Sequence, residues 1–231
     1  MRRVYTRVEI AETSGGVGVT LDGKPLKTPG RRDLVLPTAG LAVAVAAEWD
    51  AQQQEIRPAS MPLTRLAATA IDRVAVQHES ISEEVAGYAA TDLVCYRADH
   101  PPALAARQKA VWQPLIDWAT LRYDAPLAVT TGVIPTGQPE ASLKALAAAV
   151  AAQDDFRLAA LHAATAACGS LVIALALLEG RLDADAAFSA SQLDESFQIE
   201  EWGEDAEAAG RRRALAADIA ATARFANLLS G

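Results

Sequence analysis

The chain changes its hydrophobic rhythm once. From Arg3 to Pro37 apolar and polar positions alternate in short runs, Val4–Ile10, Val17–Leu21, Pro25–Thr28 and Leu34–Leu36, the period of strands with one covered face. Asp22-Gly23, between two such runs, predicts a hairpin turn. Beyond Pro37 the period lengthens to that of helices. Thr38 is placed to cap a helix reaching about Gln54, and Ser60 and Pro62 open a second with Leu63, Leu66, Ala67, Ala70, Ile71 and Val74 as its apolar stripe. Ser80 caps a third through Tyr88; Pro101-Pro102 open a fourth, in which Pro114 should cause a bend or sit near an end. Leu127–Thr131 reads as an isolated extended piece, and Pro139 introduces the next helix. Asp154 or Asp155 caps an apolar central helix that Gly180 stops, and Asp183–Trp202 and Asp205–Leu229 follow, with Gly203 as the break. The expected fold class is therefore α+β: a small β-rich N-terminal domain, residues 1–37, followed by a larger α-helical C-terminal domain, residues 38–231.

Composition narrows the class of partner. The chain is long enough, at 231 residues, to bury a core without disulfides. Its 21 Lys and Arg against 29 Asp and Glu leave a net charge of −8, which repels phosphate backbones and suits a basic protein surface, so no nucleic acid is expected as partner. Aromatic residues make up only 5% and alanine supplies much of the 51% hydrophobic content, favouring closely packed helices. Cys95 and Cys168 lie far apart with no CxxC or Cys/His spacing, so neither a zinc site nor a disulfide framework is expected, and a reducing compartment is the default. The longest apolar run, Ala163 to Leu178, is 16 residues, is interrupted by Thr165, Gly169 and Ser170, and is shorter than the roughly 20 needed to span a bilayer. The basic start of the chain passes straight into strand alternation without the apolar stretch of a secretory signal. The expectation is a cytoplasmic protein without stable membrane insertion.

Candidate chemistry is sparse. Gly18 to Lys24 has the spacing of a nucleotide-binding P-loop, but Pro25 replaces the magnesium-reaching Ser or Thr, and Pro25 and Pro29 oppose the helix that such a loop requires. His78, His100 and His162 sit in separate segments without a nucleophile elbow. Glu83-Glu84, Asp154-Asp155 and Glu200-Glu201 are adjacent pairs that do not share a helical face, as solvated surface or first-turn charge would be. Arg211-Arg212-Arg213 offsets the acids just before it. No catalytic residue, cofactor or metal is expected. Trp49, beside Ala42, Val45 and Ala46 on the first helix, is expected to anchor that helix.

The segment Leu193-Asp-Glu-Ser-Phe-Gln-Ile-Glu-Glu-Trp-Gly203 stands out. Glu195, Gln198, Ile199 and Trp202 fall at i, i+3, i+4 and i+7, which puts a carboxylate and an amide on one helical face with two large apolar groups. A carboxylate among apolar groups costs free energy unless paired, so it is expected beside an arginine or at a binding surface.

Taken in order, several stretches resemble the ATP-twelve family of ATP synthase assembly chaperones. They are Leu21-Asp-Gly-Lys-Pro-Leu-Lys-Thr-Pro29, Ala46-Ala-Glu-Trp-Asp-Ala-Gln52, Met61-Pro-Leu-Thr-Arg-Leu-Ala67, Asp92-Leu-Val-Cys-Tyr-Arg97, Trp112-Gln-Pro-Leu-Ile-Asp-Trp118 and Leu193 to Gly203. The resemblance implies a non-enzymatic, ATP-independent chaperone, of the bacterial form. It would bind the unassembled alpha subunit of the catalytic head, prevent its aggregation and release it for assembly with beta. It directs attention to Glu195 as the recognition carboxylate, with Gln198, Glu201 and Glu204 in the same partner-binding patch and Trp49, Trp202 and Phe197 as structural anchors. The free chain is taken as monomeric. Two other readings stay open: a small-molecule enzyme with Glu195 in a carboxylate pocket, and a generic protein-interaction scaffold.

Overall fold

A computed structural model describes residues 2–132 and 136–230. The N-terminal part is a four-stranded sheet. β1 (Val8–Thr13) pairs antiparallel with β2 (Gly16–Leu21), and the other edge of β2 is shared by β3 (Lys24–Pro25) and β4 (Val35–Leu36), both antiparallel to it. The β2–β3 turn is Asp22-Gly23, with both residues at positive φ (49° and 79°), the pairing a tight hairpin requires. Asp22 also ties down the chain before β1: its carboxylate accepts from the backbone N–H of Arg7 (2.8 Å) and Thr6 (3.1 Å). Gly16, at φ 147°, lies so close to β4 that a Cβ would come within 2.3 Å of the Leu36 carbonyl oxygen.

Thr38 caps α1 (Ala39–Asp50) by accepting from the Leu41 N–H at 3.1 Å. Glu48, near the end of α1, reaches the start of α2 (Pro62–Thr69), where its carboxylate accepts from the N–H groups of Leu63 and Thr64, both at 2.8 Å, and from the Thr64 hydroxyl. The open donors of a helix start are thus satisfied by a side chain 15 and 16 residues earlier, on the preceding helix. Trp49, the next residue, packs half-buried on Tyr5, Ile56 and Met61.

A wide π turn over Ala70–Val74 joins α2 to α3 (Ala75–Gly87). The helix expected to start at Ser80 therefore starts earlier, and the kink lies at Gln77 (φ −128°). α4 (Pro102–Tyr123) keeps Pro114 in its interior. The extended piece before residue 132 supplies β6 (Thr130–Thr131), which pairs in parallel with β5 (Tyr96–Arg97), and α5 (Glu140–Ala151) follows Pro139.

The apolar central run is two helices, not one. α6 (Asp155–Cys168), opened by Asp154 accepting from the N–H of Phe156 and Arg157, ends at Gly169, whose φ of 63° reverses the chain. Ser170 then caps α7 (Leu171–Leu178), every residue of which is buried. A helix with no wet face must satisfy its first-turn donors internally. Asp92, 0% exposed, does this: it accepts from the Ser170 hydroxyl (2.6 Å), the Val172 N–H (3.0 Å) and the Val94 N–H (3.2 Å). Burial pushes its carboxyl above the usual range, against the pull of those donors. Cys95 and Cys168 are buried free thiols, each pushed up to about 12 chiefly by desolvation. α8 (Ala184–Ser191), α9 (Leu193–Trp202) and α10 (Ala206–Leu229) complete the chain; the single helix expected over Asp183–Trp202 is broken at Gln192 (φ −110°).

Residues 1–78, 154–160 and 221–231 form one compact unit, and 79–153 with 161–220 form the other. Secondary structure does change at Pro37, where the expected ranges 1–37 and 38–231 divide, but α1 and α2 group with the sheet. Among the described residues no helix is long and apolar enough to cross a membrane.

Asp92→Ala is expected to destabilise the fold by about 3 kcal/mol or more, because the buried hydroxyl and N–H donors lose their acceptor. Trp49→Arg should cost about 2–4 kcal/mol by setting a charge against Tyr5 and Met61. Chemical denaturation measures both, and an unchanged midpoint in either variant contradicts the role given to that residue.

Candidate functional site

α9 carries two opposed faces. The packing face is Leu193, Ser196, Phe197 and Glu200, again at i, i+3, i+4 and i+7. Leu193 is buried; Asp194 beside it accepts from the Gln108 side-chain amide of α4 at 2.8 Å. Glu200 makes a two-pronged pair with Arg107 of α4 (2.7 and 2.8 Å), and the same guanidinium lies 5.3 Å from the Phe197 ring centre. The Arg107 hydrogen bonds hold the Glu200 carboxyl below its ordinary range. From the other side Arg212 of α10 donates to the Ser196 hydroxyl (3.1 Å), pairs with Glu204 (3.2 Å) and lies over Phe188 of α8. Gly203, at φ 82°, turns the chain, and Asp205 opens α10 by accepting from the Ala208 N–H at 2.8 Å.

The other face of α9, Glu195, Gln198, Ile199 and Trp202, lines an open groove of about 370 Å³ together with Ala208, Arg211 and Leu215 of α10. Ile199 is half-buried, while Glu195, Gln198 and Glu201 are exposed. Among the described residues neither Glu195 nor Glu201 forms an ion pair, whereas Arg211 is engaged by Glu207 at 2.5 Å.

Trp202 requires a correction. It is 80% exposed, so it does not anchor α9 to its own chain; Leu193, Phe197 and the Arg107–Glu200 pair do. Helical spacing identified the residues that share a face, and the inward direction belongs to the opposite face. Glu204 is also less free than expected for a partner contact, since Arg212 holds it. Of the two places expected for Glu195, beside an arginine or on an open surface, the exposed face is the one observed; the paired carboxylate of α9 is Glu200, whose arginine comes from α4, a distance of 93 residues that no local pattern carries.

A family model described as ATP12 chaperone protein matches residues 2–120. The chain belongs to the ATP12 family. The crystal structure of Atp12 from Paracoccus denitrificans superposes with a TM-score of 0.95 at 45% identity, covering 99% of this chain and 98% of that one. A mutant of the same Paracoccus protein gives the same score and identity, and the Atu1473 protein of Agrobacterium tumefaciens matches at 39% identity with a TM-score of 0.94, over 99% and 86% of the two chains. Protein atp12, mitochondrial, of Schizosaccharomyces pombe is 25% identical over 214 residues, 87% of this chain and 74% of that protein. Membership makes this ATP12 protein a chaperone of ATP synthase assembly, not an enzyme, and the small sheet followed by a mostly helical part matches the Atp12 structures.

Since Trp202 buries little of its ring within the chain, Trp202→Ala should shift stability by no more than about 0.5 kcal/mol. A loss of 2 kcal/mol or more in urea unfolding would restore the ring to a structural role.

Proposed function

We propose that this ATP12 protein binds the unassembled alpha subunit of the ATP synthase catalytic head, keeps it from aggregating and yields it to beta, and that the α9–α10 groove is the contact. The observation that carries the reading is that an exposed indole, Trp202, shares one helical face with Glu195, a carboxylate without an ion pair among the described residues, beside Ile199 and Leu215. Trp202 supplies the apolar anchor and Glu195 selects a cationic group on the client; Gln198 adds an adaptable amide and Glu201 a second exposed carboxylate. A subunit stripped of its partner exposes apolar interface, and covering that surface closes the aggregation route without ATP hydrolysis. The charged border keeps the contact selective and reversible. The likeness to proteins of Paracoccus and Agrobacterium supports the cytoplasm as the place where this happens.

Titration of purified alpha subunit against the wild type, Glu195→Lys and Trp202→Ala tests the reading. Each substitution should weaken binding at least tenfold, about 1.4 kcal/mol, and Trp202→Ala by about 2 kcal/mol or more if the ring is a central anchor. Melting temperatures should not change. Equal affinity of folded variants and wild type would remove the groove from the contact, and no binding by the wild type would remove the alpha subunit as client.

A further inference from the structure

The first compact unit holds a cavity of its own, about 540 Å³, within the range of ligand pockets. Its walls include Tyr5, Leu21, Trp49, Ile56 and Met61. The aromatic wall is fixed: the Tyr5 and Trp49 rings are 5.9 Å apart, and the Tyr5 hydroxyl donates to the Trp49 carbonyl at 2.7 Å. Two features of the rim say what would fill it. Val4, which borders the cavity, is 81% exposed, so the apolar surface runs on past the opening; a small molecule seated inside would leave it wet, whereas a polypeptide would cover it. The rim is also cationic. The charged residues that line it, Lys27 and Arg65, are both basic, and among the described residues the Arg65 guanidinium has no carboxylate partner. Lys27, by contrast, is engaged by Asp33 at 2.8 Å.

The wider charge distribution points the same way. In a chain of net charge −8, this unit carries 12 Lys and Arg against 10 Asp and Glu, while the other carries 9 against 19. We propose that the cavity is a second client-binding site, which takes an apolar side chain from a polypeptide segment flanked by carboxylates. It rests on the chain's work as an assembly chaperone and is independent of the α9–α10 groove, whose charge selects the opposite sign. Tyr5, Trp49 and Met61 receive the apolar side chain, Val4 covers the adjoining backbone, and Arg65 meets a flanking acid.

Two synthetic peptides with the same Leu-Phe-Leu centre, one flanked by glutamates and one by lysines, test the site on the ¹⁵N-labelled full chain. The Trp49 indole N–H, buried and without an acceptor among the described residues, is the reporter. The glutamate peptide should move its resonance and bind at least tenfold more tightly than the lysine peptide. Arg65→Glu and Val4→Asp, both at exposed positions, should each weaken that binding about fivefold or more with melting temperature unchanged, and Glu195→Lys should leave it as in the wild type. Equal affinity for the two peptides, movement of the Trp202 resonance alone, or a response of Trp49 to decanoate but to neither peptide would each overturn the proposal.

Discussion

A helix apolar on every side still carries polar groups at its start, and the helical part of this protein depends on where those groups go. Buried throughout, α7 cannot leave its first N–H groups to water, and Asp92 and Ser170 take them inside the core. Because the Asp92 carboxylate also accepts from Val94, the same bonds fix the turn that leads into β5. α4 and α8 pack against the helix so placed, and the Trp112 indole of α4 donates to the Ala190 carbonyl of α8 at 2.8 Å, just before α9 begins. The surface helix α9 is thereby positioned by polar bonds deep beneath it.

Features decided by local chemistry were legible in the sequence. Asp22-Gly23 allows a tight turn and little else, and Thr38 and Asp154 cap the helices they precede through side-chain oxygens. What failed was orientation and grouping. The run from Ala163 to Leu178 has helical composition on both sides of Gly169, and composition does not register that one residue at φ 63° separates two helices. The change of period at Pro37 marks where strands end, yet α1 belongs with the sheet because its apolar face, with Leu41 and Val45, is buried in the unit the strands start. At α9 the pattern gave two equally regular faces, and only Arg107, from far along the chain, distinguishes the attached face from the free one.

The two tryptophans on helices that first looked alike show how differently the same side chain is used. Trp49 sits half-buried among aromatic and sulfur-bearing neighbours, whereas Trp202 lies nearly bare at the end of a helix secured elsewhere. With α9 held by a two-pronged ion pair on α4 and by Arg212 on α10, its free face needs little ordering when something docks, so less of the contact energy is lost to stiffening the chaperone.

The exposed indole also bears on how the protein tolerates itself. A bare tryptophan beside Ile199 and Leu215 is the kind of surface through which a crowded protein sticks to its own copies. Glu195 shares its face and Glu201 precedes it in the chain, so two copies meeting face to face would bring like charges together while each indole sought the other. That repulsion acts over roughly a Debye length, about 8 Å at physiological salt, and weakens as salt is added. The acids on this face therefore serve its colloidal stability, more effectively in dilute buffer than in concentrated brine.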